Sequence, residues 1–237
     1  MSVSKDELKK RAELALEKKA AYGEDFALDK FKKPLTMDDY LASRSIADPL
    51  RVLDCVMYCD GANAFLVMSA EEARARGIEK VAHPTAYAEV TNHNGTDPLA
   101  DITESGFYRI APKVFAKAGL TPAGIGMFQP YDDFTIAVLM QLEAFGFCAT
   151  GEGSAFVRDT DLSFSGTLPL NTGGGQISAG QPGLASGGLN LAEAVRQLFG
   201  EGGERQVPGV RNALVTGIGV IPYGRNWGCS AAMILEV

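Results

Sequence analysis

The chain has 237 residues, 46% hydrophobic and 22% charged, with 22 Lys+Arg against 29 Asp+Glu and a formal net charge of −7. This is globular composition with length enough for a sizeable core, and it argues against intrinsic disorder. The acidic balance lacks the clustered Lys and Arg of a nucleic-acid-binding surface, and two His leave almost no material for imidazole chemistry.

The N-terminus begins with an exposed helix over Ser4–Ala21, where Ser4 and Glu7 form a capping box and Leu8, Leu14 and Leu16 a thin apolar stripe. Its lysines read as a solvated face. A polar loop runs to Pro34 and a short helix from Thr36 to Arg44. Strands are expected at Val52–Cys55 and Ala64–Ser69 around an Asp60–Gly61 turn. Ala70–Arg76 is a helical turn closed by Gly77.

From residue 78 the order becomes regular. Strands are predicted at Val81–Asn92, Ile125–Gln129, Gly166–Leu170, Asn212–Val220 and Cys229–Val237. Helices are predicted at Gly106–Ala118, Asp133–Phe147 and Gly183–Phe199. Residues 78–237 thus read β-α-β-α-β-α-β-β. Residues 51–69 read as the closing ββ of an earlier unit that is mostly missing, so the chain divides into a remnant, 1–77, and a domain, 78–237. A ββ tail without its own sheet leaves unpaired edges and bare apolar faces, and a stable partner is expected to cover them.

No run approaches the roughly 18 apolar residues of a membrane helix, and Met1–Ala20 has no apolar centre of a secretory signal. Cys55, Cys59, Cys148 and Cys229 have neither disulfide-scaffold nor zinc spacing. Free thiols and a cytoplasmic location are expected.

Five motifs follow one another in order: ADPLRVLDC (47–55) with DGANAFLVMS (60–69), QPYDDFT (129–135), EAFG (143–146), NTGGG (171–175) and GQPGLASG (180–187). Together they resemble the thiolase superfamily, most closely the sterol-carrier-protein-type thiolases and their aldolase-like relatives. The resemblance implies an α/β fold, a thiolase-like βαβαβαββ repeat of layered mixed sheet and helices. It also implies an acyl-CoA thioester as substrate, no permanently bound cofactor and no metal.

The departures from the family pattern are chemical. The family's nucleophilic cysteine has no counterpart here. Gln181 stands where the resemblance places a Gly-His-Pro histidine, and an amide cannot take a proton. Tyr131 and Asp132 stand at the family's oxyanion pair, and Asn226 where a Cys-x-Gly cysteine is expected; Cys229 lies three residues beyond and is not that cysteine. Ordinary thiolysis is therefore poorly supported.

Retro-aldol cleavage of a β-hydroxyacyl thioester needs a proton acceptor and oxyanion donors but no thiol. The resemblance to the aldolase-like branch points to that reaction, with Tyr131 or Tyr223 as base and Gln181 and Asn226 polarising the substrate. Gly174, Gly175, Ser178 and Ala179 would border a CoA-pantetheine channel. The expected assembly is a homo-oligomer, or a hetero-oligomer with an N-terminal thiolase half or a small OB-fold, zinc-ribbon protein. Two other functions stay open: an acyltransferase half needing a Cys-bearing chain, and a non-catalytic CoA-ligand or partner-binding subunit.

Each assignment has a plainer competitor. Tyr131 could be a buried hydroxyl closing a turn, Tyr223 an aromatic capping the sheet, and Gln181 an inert replacement. Asp132 and Asp133 precede a helix and read as its N-caps. His83 and His93 read as structural. Phe107, Phe128 and Phe134 could line an acyl pocket, although core packing is the commoner use of Phe.

Overall fold

A computed structural model describes residues 35–91, 101, 103–219 and 228–237. The predicted Ser4–Ala21 helix, His93, Tyr223 and Asn226 lie outside the described residues. The chain divides into two units, Met1–Arg44 and Ser45–Val237. In the first, helix α1 (Met37–Ala42) opens on a capping box in which Thr36 accepts from the Asp39 backbone N–H and Asp39 accepts from that of Thr36.

In the second unit a two-stranded ribbon, β1 (Ser45–Ala47) and β2 (Leu50–Arg51), precedes a four-stranded sheet. That sheet contains β3 (His83–Thr91), β4 (Phe128–Gln129), β5 (Asn212–Ile218) and β6 (Cys229–Glu236), in the order β3-β6-β5-β4. β4 and β5 are parallel, whereas β5–β6 and β6–β3 are antiparallel. The helices are α2 (Ala70–Ala75), α3 (Phe107–Ala118), α4 (Thr135–Ala144), α5 (Gly153–Asp159), α6 (Gly175–Ala179) and α7 (Ser186–Leu198). From β3 onward the strands and α-helices run β-α-β-α-α-α-α-β-β in a mixed α/β fold, the third strand of the expected βαβαβαββ succession being reduced to a single bridge.

Period-2 alternation places the core. On one face, Leu214 of β5 and Ala232 and Ile234 of β6 pack with Phe107, Ile110 and Val114 of α3 and with Leu142 and Phe145. On the other face, Ala213 and Val215 of β5 and Leu235 of β6 meet Ala194 and Leu198 of α7. The sheet therefore carries helices on both sides, as a layered α/β protein requires. Phe107 and Phe128 are fully buried in the first cluster, so they serve packing and line no pocket; only Phe134 is partly exposed.

Three expected strands differ. Val52–Asp54 forms a 3-10 turn because the Asp54 carboxylate accepts the Arg51 backbone N–H (2.8 Å), while Cys55 N–H reaches back to the Val52 carbonyl. Ala64–Ser69 has strand-forming residues but no cross-strand partner among the described residues, and it leaves Leu66 81% and Val67 88% exposed. Of Gly166–Leu170, only Leu170 makes a bridge, parallel to Phe128; Pro169 just before it has no N–H to extend a ladder. Among the described residues, no helix is long and apolar enough to cross a membrane.

Candidate active site

β4 delivers the chain to Pro130 and Tyr131 at the end of the parallel pair, and three elements grip the backbone there. Tyr131 N–H donates to Thr216 Oγ1 of β5 (2.9 Å), Thr216 Oγ1 donates to Gln141 Oε1 of α4 (2.5 Å), and Gln141 Nε2 returns to the Tyr131 carbonyl (2.7 Å). Asn190 Nδ2 of α7 donates to the Pro130 carbonyl (2.5 Å). All four side chains are buried. This closed ring fixes where Tyr131 stands before its own side chain makes any contact.

Asp132 was expected to cap the helix that follows it. It instead caps α6, more than 40 residues away, accepting the backbone N–H groups of Gln176 (2.8 Å) and Ile177 (3.2 Å). α4 begins after Phe134 with no side-chain cap. Burial raises the Asp132 carboxyl to a pKa of about 6, against the downward pull of those N–H donors and of Asn190.

The glycine run is explained by the same contact. Gly175 has φ +56°, and a Cβ there would overlap the Asp132 carboxylate; a Cβ at Gly173 would lie 3.0 Å from the Glu193 carboxylate. Gly174 also has positive φ, while Ser178 and Ala179 are exposed. The close approaches at Gly173 and Gly175 are thus filled by the chain's own carboxylates.

Glu193 lies at the centre of a second cluster. It accepts from Thr172 Oγ1 (2.9 Å), Gln197 Nε2 (2.9 Å) and Arg205 Nη1 (2.7 Å). Burial pushes its carboxyl up, but the bonds from Gln197, Arg205 and Thr172 and the charge of Arg205 leave it below its ordinary value. This cluster ties α7 to the 171–173 turn.

Gln181 is placed by its backbone. Its N–H donates to the Met57 carbonyl (2.7 Å) and its carbonyl accepts from Cys59 N–H (3.2 Å), a parallel bridge to the 57–59 segment. Gly180 must be glycine here, having φ +109° and no room for a Cβ, which would lie 2.7 Å from Cys59 Sγ. Asn63 Nδ2 donates to the Ala185 carbonyl (2.8 Å), so the 57–63 segment flanks the whole Gly180–Ala185 turn.

These supports bring Tyr131 and Gln181, singled out from the sequence, together with Ser186 and Gln176, which were not. Tyr131 Oη lies 3.0 Å from Ser186 Oγ, and Gln181 Nε2 lies 3.4 Å from Tyr131 Oη and 3.2 Å from Gln176 Oε1. Gln176 is fully buried and its Nε2 has no hydrogen-bond partner. Ser186 lies within the GQPGLASG motif, but nothing in sequence spacing announces a contact across 55 residues.

Among the described residues no imidazole enters this cluster, His83 being exposed at the start of β3. All four cysteines are free thiols. Burial, with the nearby Asp54, pushes the Cys55 thiol up; burial and the carboxylates of Glu143 and Glu152 raise Cys148, and burial and Glu89 raise Cys229. Cys55, Cys148 and Cys229 are thereby made poorer nucleophiles. Among the described residues, no His, Cys, Asp or Glu group is arranged to hold a metal ion. Beside the cluster, Gly187, Leu191, Gly217, Ala231, Met233 and Tyr87 line an open groove of about 140 Å³. It is smaller than the roughly 300–1,000 Å³ of ordinary ligand sites.

A family model described as thiolase C-terminal domain-like matches residues 88–229. The chain belongs to the thiolase superfamily. It is 39% identical over 203 residues to a 17-hydroxy-3-oxo-4-pregnene-20-carboxyl-CoA lyase of Mycobacterium tuberculosis, a match covering 82% of this chain and 50% of that one. It is 37% identical over 206 residues to a steroid side-chain-cleaving aldolase of Thermomonospora curvata, with the same coverage. The solved structure titled Ltp2-ChsH2(DUF35) aldolase superposes with a TM-score of 0.66 at 31% identity, covering 87% of this chain and 52% of that one. The chain spans about half the length of the curated relatives it matches. Within the superfamily it aligns with the lyase and aldolase branch.

Proposed function

We propose that this thiolase-superfamily chain cleaves a carbon–carbon bond in a β-hydroxyacyl-CoA thioester by a retro-aldol reaction. The observation that carries this reading is the buried Tyr131 hydroxyl, held by the side chains of Ser186 and Gln181. Tyr131 or Tyr223 accepts the β-hydroxyl proton. The Cα–Cβ bond breaks, and its electron pair passes into the thioester enolate. Cleavage leaves a ketone or aldehyde, and return of the proton from the tyrosine to the enolate carbon completes the shortened acyl-CoA. Gln181 and Asn226 serve as donors around the reacting oxygens, and Gly174, Gly175, Ser178 and Ala179 border the CoA arm.

The exposed Leu66 and Val67 support assembly with another chain. Likeness to an aldolase whose name joins two components favours a small OB-fold, zinc-ribbon partner over a self-sufficient protein.

The test is mass-spectrometric assay of the purified chain, alone and co-expressed with its genomic neighbours, on a β-hydroxyacyl-CoA bearing a tertiary alcohol. Ketone and shortened acyl-CoA should form together, and Tyr131→Phe should lower kcat by about 10²–10⁴-fold, as expected for a missing general acid–base group. A Tyr131→Phe protein as fast as the parent assigns the base to Tyr223, and a Tyr131→Phe/Tyr223→Phe double variant as fast as the parent refutes the reading. An acyl-cysteine that forms only when a second chain is added establishes the acyltransferase alternative.

A further inference from the structure

Ser186 is the first residue of α7 and is 2% exposed. Its Oγ lies 2.6 Å from the Gly183 carbonyl and 3.0 Å from Tyr131 Oη. A hydroxyl has one proton and two lone pairs, and a carbonyl oxygen only accepts. The Ser186 proton therefore points to Gly183, and across the Ser186–Tyr131 contact the phenol is the donor. From the other side, Gln181 Nε2 can only donate to Tyr131 Oη. The hydrogen bonds run one way, from Gln181 N–H through Tyr131 O–H and Ser186 O–H to the Gly183 carbonyl.

We propose that Ser186 is a positioning residue that serves both protonation states of Tyr131, accepting from the phenol and turning to donate to the phenolate. This rests on the acid–base role given to Tyr131 above. In the resting state the Ser186 lone pair aims the phenol proton. The base form is reached when that proton passes to solvent water. Rotation of the Ser186 hydroxyl then moves its O–H from Gly183 to the Tyr131 oxygen, and the phenolate so held takes the β-hydroxyl proton, which restores the phenol. The Gly183 carbonyl can release the Ser186 O–H cheaply. It keeps the backbone N–H of Ser186, and Gly183 is exposed, so water can take the vacated lone pair. Gln181 remains a donor throughout, with its amide braced on Gln176 Oε1.

The experiment compares Ser186→Ala and Ser186→Thr with the parent, matched in melting temperature, with Tyr131→Phe as reference. On the full chain alone, NMR of ring-labelled tyrosine identifies Tyr131 by the resonance lost in Tyr131→Phe. That resonance should move in Ser186→Ala and return in Ser186→Thr. In turnover, Ser186→Ala should lower kcat by about 10- to 100-fold, the loss of one hydrogen bond to a charged oxygen. KM should stay within about twofold, and threonine should restore kcat, because only the transition-state term is affected. An unmoved resonance, an unchanged kcat, or a threonine variant that folds but is as slow as alanine overturns the proposal. Should Tyr131→Phe match the parent in turnover, the acid–base role of Tyr131 fails by itself, and the NMR comparison still decides whether Ser186 holds the phenol.

Discussion

Asp133 gives the sharpest test of the electrostatics beside Tyr131. Its Oδ1 is buried without a hydrogen-bond partner. Burial, only partly offset by the backbone N–H groups of Phe134 and of Asp133 itself, raises the carboxyl from 3.8 to about 6. Between those values the folded protein holds a proton that the unfolded chain has released. Its contribution to stability therefore falls as pH rises from about 4 to about 6 and is flat above that. A rise of this size corresponds to about 3 kcal/mol, which partial access to solvent reduces to about 1–2 kcal/mol. Asp133→Asn keeps the shape and removes the titration. Urea denaturation of parent and variant should show the variant gaining about 1–2 kcal/mol on the parent between about pH 4 and about pH 7.5. A stability difference that is the same at both pH values refutes the assignment of a strained, buried carboxylate.

Two further substitutions probe the scaffold. Gly175→Ala forces a side chain into left-handed backbone and against the Asp132 carboxylate; it should cost about 2–4 kcal/mol in denaturant titration, and a variant as stable as the parent would contradict the cap on α6. Phe145→Ala empties the centre of an aromatic cluster, 5.6 Å from Phe107, 5.9 Å from Phe128 and 6.2 Å from Phe115 between ring centroids. It should cost about 3–5 kcal/mol, measured in the same way, and a loss below about 1 kcal/mol would show that the site repacks freely.

Elements whose pattern and partners agree were legible from residue order alone. Phe107–Ala118 has its apolar face and its closing Gly119 in left-handed conformation. β5 and β6 alternate and find each other across a short connection. The turn at Val52–Asp54 was not legible, because a side-chain carboxylate capturing a backbone N–H competes with the strand that the apolar residues favour. Ala64–Ser69 shows the converse: strand-forming residues make no strand without a neighbour to pair with. At the site, Tyr131 and Gln181 were found through family resemblance. Ser186, Gln176 and the reach of Asp132 to α6 were not, because each depends on a contact whose partners lie too far apart in sequence, or belong to the wrong helix, for periodicity to register.

The bridge at residue 181 has a consequence for how such a site diversifies. Its place is set by main-chain bonds to Met57 and Cys59 and by a neighbouring glycine that no other residue can replace. None of those supports depends on what residue 181 carries beyond its Cβ. The position works as a socket: an imidazole, as the family resemblance expects, or an amide, as here, can be plugged in without moving the walls. Under the role proposed for Tyr131, acid–base character passes from residue 181 to its neighbour while the frame stays unchanged, and one architecture can host two chemistries.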